Sequence, residues 1–166
     1  IEDHIMHSEP FSVTKSFLKK LYALPEGAKV ISVGTTSTRS LESLYYAGLQ
    51  CYKDGVEEWV PRCVGQWDPY QENPDISTKE SIKSLLDYME YNNLEILNLR
   101  TQIIIVPSYR FRVVDILVTN FHQPQSTLLL LISAFVGGES WRDIYKFAME
   151  NGFRFLSYGD SSMLVR

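Results

Sequence analysis

The three histidines of the chain are the side chains best suited to acid–base chemistry. His4 and His7 are three residues apart and precede Glu9, whereas His122 comes directly after an apolar run. On a helix, the first two imidazoles would share one face, where Glu9 could orient one of them. Because an ordinary histidine titrates near neutral pH, all three are candidate acids or bases. A structural role for His4 and His7 is the main alternative, and a metal site is disfavoured because the spacing lacks a third ligand.

Residues 119–122, with the sequence TNFH, form a second candidate site. They follow an apolar strand and lead through a polar loop to Ser126 or Thr127, one of which should cap an apolar, buried helix over residues 128–135. Polar groups between the end of a strand and the start of a helix occupy the usual ligand crevice of α/β sheets. The amide and imidazole of this stretch are therefore predicted to contact a ligand. The alternative is that they satisfy only the loop backbone.

Residues 33–42, VGTTSTRSLE, follow a β-branched run and begin a helical pattern. The free backbone N–H groups and positive dipole of a helix start suit an anion or a polar cofactor tail. Thr35, Thr36, Ser37 and Arg39 are the candidate contacts. The alternative is that Thr36 or Ser37 serves only as the N-cap. The stretch matches neither a P-loop nor GxGxxG, so it identifies no nucleotide by itself.

Two carboxylates stand out by their surroundings. Asp115 lies inside an apolar run, where a carboxylate needs a cation or several donors, and Arg39 is the cation that we expect. Asp160 ends the string Tyr158-Gly159-Asp160, which also suits a simple hairpin turn.

The order of the periodic segments predicts an α/β fold, a layered mixed sheet with flanking helices, in one domain over residues 1–166. An irregular excursion or short hairpin is expected over residues 51–76. Residues 101–107 and 111–121 are expected to be strands joined by a hairpin or tight connection. The remaining predictions are helices over 12–24, 39–48, 77–92, 128–135 and 140–152, and strands over 29–33 and 153–165.

Composition narrows the class of protein further. The net charge of -4 lacks the basic footprint that nucleic-acid binding usually leaves. Cys51 and Cys63 form no CxxC pair, which favours a reducing, cytoplasmic setting. The longest apolar run, residues 128–132, is too short to cross a bilayer. The first residue, Ile1, indicates a sequence entered mid-domain, and we expect a piece of a longer protein.

The motifs HxMHxE, VGTTSxRxLE, VVDxLVTNFHxPxSTLLxLxSAFxG and FRFxSYGD occur in this order along the chain. Together they resemble the S-adenosylmethionine:tRNA ribosyltransferase-isomerase family of queuosine biosynthesis, and the resemblance covers nearly everything except residues 50–100. It implies the C-terminal part of the α/β catalytic domain of a two-domain enzyme, whose β-barrel insertion is absent here. The N-terminal half of the same enzyme is then an implied partner.

The resemblance also implies the reaction and its site. The ribosyl moiety of S-adenosylmethionine would move to 7-aminomethyl-7-deazaguanine at the wobble position of tRNA, giving epoxyqueuosine, adenine and methionine. S-adenosylmethionine is thus an implied cosubstrate, with no permanently bound cofactor and no membrane partner. A buried aromatic such as Phe121 or Tyr158 would stack on a base. The implied catalytic candidates are His122, His4, His7, Glu9 and Asp160. The implied binding residues are Thr35, Thr36, Ser37, Arg39, Asn120, Phe121, Thr127 and Tyr158.

Two features depart from the family pattern. Ser108 stands where glycine is expected in a PGY-like turn, and residues 51–94 form a longer region than is typical. The alternatives are therefore a divergent relative with another base substrate and a noncatalytic RNA-binding module. A Rossmann-type methyltransferase rests only on VGTTS and lacks a glycine-rich turn. These 166 residues alone are expected to fold without turning over substrate.

Overall fold

The computed structural model describes residues 6–123 and 126–166. The chain divides into two compact units, with residues 1–28 and 40–103 in unit 1 and residues 29–39 and 104–166 in unit 2. The described elements, in chain order, are β1 (Glu9–Thr14), α1 (Lys15–Tyr22), β2 (Ile31–Val33), α2 (Thr35–Asp54), β3 (Cys63–Val64), a 3₁₀ turn (Asp68–Tyr70), α3 (Thr78–Tyr91), β4 (Ile96–Thr101), β5 (Ile116–Asn120), α4 (Thr127–Val136), α5 (Ser140–Glu150) and β6 (Ser161–Val165).

Unit 1 contains a mixed sheet of strand order β1-β4-β3. Strand β1 pairs with β4 in antiparallel fashion, with Glu9 opposite Thr101, and β3 pairs with β4 in parallel. Helices α1 and α3 pack against each other and bury Leu18, Leu85 and Met89 completely. These apolar side chains recur at helical spacing, which is why both segments form amphipathic helices.

Helix α1 begins later than the sequence pattern predicts. The hydroxyl of Thr14 caps it by accepting a hydrogen bond from the N–H of Phe17 at 3.1 Å. The preceding residues, including Ser12, belong to β1, whose hydrogen-bonding partner β4 lies more than 80 residues further along the chain. A helix over residues 12–24 is therefore wrong at its start, because long-range strand pairing outweighs the local periodicity.

The N-terminus of α3 is as predicted. The Ser77 hydroxyl accepts from the Glu80 N–H, and the Glu80 carboxylate accepts from the Ser77 N–H at 2.7 Å. This capping box satisfies two N–H groups that have no acceptor within the helix. It also lowers the pKa of the Glu80 carboxyl, mainly through hydrogen bonds from Ser77 to the charged form.

Unit 2 contains a second mixed sheet, of strand order β2-β5-β6. Strands β2 and β5 are parallel, with Val33 opposite Val118, whereas β5 and β6 are antiparallel. Helices α4 and α5 pack against each other, and α4 also contacts β6. The predicted α/β class with mixed strand directions and flanking helices is confirmed, with two mixed sheets of three strands in the described residues.

The predicted hairpin between residues 101–107 and 111–121 is wrong. Strand β4 ends at Thr101 and β5 begins at Ile116, and the two belong to different sheets. Residues 103–105 are almost completely buried but lie outside any strand. Their apolar run signals burial, which a periodicity argument cannot distinguish from strand pairing.

The predicted strand over residues 153–165 is too long. Only Ser161–Val165 is a strand, and it pairs with β5. The hairpin interpretation of Tyr158-Gly159-Asp160 is also wrong. A hairpin turn joins two consecutive strands, but this turn lies between α5 and β6, and both α4 and α5 separate β6 from β5 in the sequence.

Residues 51–76 are largely irregular, as expected, but their structured parts differ from a short hairpin. Residues 51–54 complete α2, and the later strand β3 pairs in parallel with β4. Among the described residues, no helix combines the length and apolar character needed to cross a bilayer.

Candidate active site at the carboxyl ends of two parallel strands

Strands β2 and β5 bring two of the predicted sites to the same edge of the unit 2 sheet. Because the strands are parallel neighbours, their carboxyl ends lie side by side. The N–H of Gly34, directly after β2, donates to the carbonyl of Val118 at 2.8 Å. The turn after β2 and the TNFH segment are therefore adjacent, as a shared ligand crevice requires.

The turn after β2 presents the first turn of α2. Gly34 has a φ of +91°, a conformation that glycine adopts without the penalty of a side chain. The Thr38 hydroxyl lies 2.9 Å from both the Ser32 hydroxyl and the Gly34 carbonyl, which fixes the turn. Because α2 begins at Thr35, the interpretation of Thr36 or Ser37 as N-cap is wrong.

The hydroxyls of this first turn differ in accessibility. Thr36 and Ser37 are exposed and Thr35 is half-buried, so all three can reach a ligand at the helix start. The first N–H groups of a helix have no acceptor within it and carry the positive end of its dipole. Arg39, one turn further on, is buried with 6% of its surface exposed.

His122 is held on two sides. Its Nε2 lies 3.0 Å from the Thr119 hydroxyl, and its backbone N–H donates to the Tyr145 phenol oxygen at 3.0 Å. The imidazole is half-buried, and burial lowers its pKa because the charged form loses hydration. The ring is therefore neutral at physiological pH.

A neutral imidazole fixed in this way can serve as an acid or a base. If the Thr119 hydroxyl donates to Nε2, the proton of His122 resides on Nδ1; if the hydroxyl accepts, Nδ1 is the basic nitrogen. Burial also raises the pKa of the Tyr145 phenol, so that group stays protonated.

Phe121 is a core residue. It is 4% exposed, and its ring makes contacts with the rings of Tyr145, Phe153 and Phe155 at centroid distances of 5.4, 5.6 and 5.5 Å. A base cannot stack on a ring that is enclosed in this way. The prediction that Phe121 contacts a base is therefore not supported by its packing.

Tyr158, unlike Phe121, is exposed. It was expected to be buried, but 96% of its surface is exposed. It lies in a tight turn in which the Asp160 N–H donates to the Arg154 carbonyl and the Gly159 N–H donates to the Leu156 carbonyl, both at 2.8 Å. An exposed ring on a braced turn can offer a face to a ligand.

Asn120 joins the end of β5 to that turn. Its side-chain amide donates to the carbonyls of Gly159 and Asp160 at 3.4 and 3.3 Å, and lies 3.3 Å from the Ser161 hydroxyl. The alternative in which the amide satisfies backbone groups is thus correct for its nitrogen, and Asn120 positions the turn.

Asp160 has a positioning role as well. Its carboxylate accepts from the backbone N–H of Arg154 at 2.7 Å and lies 3.7 Å from the guanidinium of the same residue. Among the described residues, these contacts with Arg154 include no histidine, so the structure does not join Asp160 to another implied catalytic candidate. The carboxylate closes the turn that carries Tyr158.

The N-terminal candidates belong to unit 1. His4 lies outside the described residues. His7 is exposed and irregular, and Glu9 begins β1, so the expected helical face over this stretch is wrong.

Two further predictions concern caps and charges in unit 2. Ser126 caps α4 by accepting from the Leu128 N–H at 3.1 Å, and Thr127 is the first, half-buried residue of that helix. The partner of Asp115 is Lys29 at 3.3 Å, together with the Val30 N–H at 2.9 Å, and the predicted pairing with Arg39 is wrong.

Helix α4 is less buried than its sequence suggests. Residues 128–130 are half-buried, whereas Leu131, Ile132 and Phe135 are buried. The prediction of a buried helix therefore holds for its C-terminal part only. In the described part of the chain, no cluster of metal-ligating side chains is found.

Three positioning residues were not predicted. Thr119 and Thr38 hold His122 and the α2 turn, and Tyr145 fixes the His122 backbone. Thr119 lies within the TNFH segment, so attention to its hydroxyl would have identified it. Tyr145 belongs to the apolar stripe of α5, and nothing in that stripe signals a hydrogen bond to a distant backbone group.

Comparisons with known proteins agree with this architecture. The family described as queuosine biosynthesis protein matches residues 1–165. The S-adenosylmethionine:tRNA ribosyltransferase-isomerase of Burkholderia cenocepacia (strain HI2424) is 38% identical over 167 aligned residues, covering 100% of this chain and 36% of the relative. The protein of the same name from Ralstonia pickettii (strain 12J) is 36% identical, with 100% and 34% covered.

A solved structure supports membership of the same family. S-adenosylmethionine tRNA ribosyltransferase from Thermotoga maritima superposes with a TM-score of 0.62 and 28% identity, covering 94% of this chain and 40% of that one. The chain thus spans about a third of the length of the Burkholderia relative. With its whole length matched by the family and by these relatives, the chain belongs to the queuosine biosynthesis protein family.

Proposed function

We propose that this chain supplies one wall of the active site of an S-adenosylmethionine:tRNA ribosyltransferase-isomerase. The observation that carries the proposal is the identity of 38% over the whole chain to a relative of that name. The substrates would be S-adenosylmethionine and tRNA bearing 7-aminomethyl-7-deazaguanine. The ribosyl moiety is transferred to the aminomethyl group and rearranged to epoxyqueuosine, while adenine and methionine leave.

His122 is the proposed acid–base residue. The reaction needs a base to remove a proton next to the sulfonium and a donor to assist the departure of adenine. A neutral imidazole can perform either step, and the lowered pKa supports the neutral form. The contact with Thr119 orients the ring, and the Tyr145 phenol fixes its backbone.

The start of α2 is the proposed anchor for the methionine end of S-adenosylmethionine. A carboxylate is stabilised by the free N–H groups and positive dipole at a helix N-terminus. The exposed hydroxyls of Thr36 and Ser37 add donors at the same place. Their position beside the TNFH segment supports a single binding crevice.

Tyr158 is the proposed stacking surface for a tRNA base. Sequence-specific RNA recognition uses unstacked bases that pack on aromatic side chains. The exposed ring, on a turn braced by Asn120 and Asp160, suits this role. The net charge of -4 indicates that phosphate contacts come mainly from elsewhere.

The setting and the partner follow from the same proposal. The proposed reaction is expected in the cytoplasm, with S-adenosylmethionine as a consumed cosubstrate and not as a permanently bound cofactor. The second wall of the site is provided by the N-terminal part of the family protein. The relatives are long enough to contain such a part, because this chain covers 36% of the Burkholderia relative and 40% of the Thermotoga chain.

Adenine release by the whole protein tests the proposal. His122→Ala should lower turnover by at least about tenfold, the low side of an acid–base contribution. His7→Ala, which replaces the other described histidine, is measured beside it, so that a loss of turnover specific to His122→Ala can be recognised. If the parent protein releases adenine and methionine without modifying tRNA, the proposed function fails. If His122→Ala retains full turnover, the assignment of His122 as the acid–base residue fails. Release of S-adenosylhomocysteine would instead indicate a methyltransferase.

A further inference from the structure

The unit 2 sheet has one buried face and one exposed apolar face. On the buried face, Ser32, Leu117 and Leu164 are 1%, 0% and 6% exposed. Strand residues alternate between faces, so their neighbours point the other way. The outer face is defined by Ile31, Val33, Ile116, Val118, Met163 and Val165.

The outer face is accessible along both flanking strands. Val33 and Met163 are 69% and 66% exposed, and Ile31 and Val165 are 56% and 59% exposed. The two residues contributed by β5 are half-buried between them. None of the six side chains that define the face carries a charge or a hydrogen-bonding group.

The six side chains form two complete rows across the sheet. Ile31 pairs with Ile116, which pairs with Val165, and the second row is Val33, Val118 and Met163. The outer face is thus wholly apolar over these two rows, and the opposite face is buried, which is typical of a sheet covered on both sides. A continuous exposed apolar surface of this kind marks an interaction site.

We propose that an amphipathic helix from the part of the family protein outside these 166 residues packs on the outer face. The dimensions agree, since three strands span about 10 Å and a helix with its side chains is about 10–12 Å wide. The occupant is sought in the same protein because this chain matches only 36% of the Burkholderia relative and 40% of the Thermotoga chain.

The outer face also ends next to the candidate site. Asn120 follows Val118 by two residues on β5 and pairs with Ser161, so both continue the same side of the sheet. A helix seated along the face would therefore reach the turn that carries Tyr158. The inference depends on family membership and sheet geometry, and it stands independently of the proposed reaction.

The whole Thermotoga maritima protein provides the first test. The side chains that superpose on Val33 and Met163 should be less than about a tenth exposed in the whole chain, the level of a buried residue. Without the residues outside the matched region, the same two side chains should be exposed again. Exposure in the whole chain, or coverage by a second copy instead, would overturn the proposal.

Stability measurements provide the second test. In the 166-residue chain, the double variant Val33→Lys/Met163→Lys should melt within about 2 °C of the control Val60→Lys, because Val60 is also 69% exposed. At the superposed positions of the whole Thermotoga protein, two lysines should lower the melting temperature by about 10 °C or prevent folding, because they bury charge. An unchanged melting temperature of the whole protein would refute the helix. Unfolding of the isolated 166-residue chain by the double substitution would also refute it, because the face would then not be exposed in that chain.

Discussion

At the scale of single residues, His122 should couple stability to pH. Burial lowers its pKa in the folded state, so below about pH 6.5 the unfolded chain binds a proton that the folded chain does not. The free energy of unfolding should therefore fall as the pH decreases from 7.5 to 5.5, and this part of the dependence should disappear in His122→Gln. Urea unfolding at several pH values measures it.

The control for that experiment is His7→Gln, which changes an exposed histidine in unit 1. The slope of unfolding free energy against pH in this variant is the reference for the slope in His122→Gln. A His122→Gln variant that keeps the full slope would show that burial of His122 does not disfavour its charged form.

Ser108 predicts a stabilising substitution. Its φ is +105°, a region that side-chain-bearing residues rarely adopt, and the family pattern has glycine at this position. Ser108→Gly should therefore raise the free energy of unfolding by about 1 kcal/mol, measured by urea denaturation. Ser157→Gly, at an exposed loop serine without a positive φ, should leave it unchanged or lower it slightly. A loss of stability in Ser108→Gly would contradict the strain.

Residue-level prediction succeeded where the cause is local. Ser126 and the Ser77–Glu80 pair were identifiable as caps because a cap requires a particular side chain within three residues of a helix start. Tyr145 and the Lys29 partner of Asp115 were not, because their contacts join residues 23 and 86 positions apart. Local patterns contain no information about such pairs.

At the scale of elements, the turn that carries Tyr158 depends on Gly159. A Cβ at this position would lie 2.3 Å from the Arg154 carbonyl oxygen and 2.7 Å from the Phe155 carbonyl carbon. Both atoms belong to the backbone, so the turn itself must shift. Gly159→Ala should lower the free energy of unfolding by about 2 kcal/mol, measured by urea denaturation.

Gly152→Ala separates this steric effect from backbone strain. Gly152 has a φ of +70° with open space around its Cβ position, so alanine there costs only the conformational penalty of about 1 kcal/mol. A Gly159→Ala variant as stable as the parent would show that the turn accommodates a methyl group. In that case its bracing by Asn120 and Asp160 would not fix Tyr158.

The elements themselves were predictable to different degrees. Helices α3 to α5 and strand β2 follow from apolar periodicity and helix caps. Helix α2 extends beyond the predicted residues 39–48 at both ends, and β5 covers only part of the predicted residues 111–121. Strand β1 was missed because EPFSVT buries only Val13, and its partner β4 is remote in the sequence. Residues 103–105 were assigned to a strand because complete burial produces the same apolar run as an interior strand.

At the scale of the whole molecule, the candidate site has one wall in this chain. In the proposed function, His122, the α2 turn and Tyr158 would supply the acid–base, anchoring and stacking groups, and all three belong to unit 2. The chain matches only 36% of the Burkholderia relative, so groups that complete a site for two substrates are expected in the remainder. The sequence motifs identified these candidate residues. They could not show which groups outside these 166 residues complete the site, because exposed side chains do not reveal what they contact in the whole protein.

The isolated chain should therefore fold without catalysing the reaction. Its buried cores in both units predict a cooperative thermal transition, observable by circular dichroism. Adenine release from S-adenosylmethionine and tRNA bearing 7-aminomethyl-7-deazaguanine should be at least about 100-fold slower than with the whole Burkholderia protein, because positioning of both substrates is lost. The circular dichroism measurement separates inactivity from unfolding. Adenine release by the folded chain at the rate of the whole protein would show that these 166 residues already contain every group that the reaction needs.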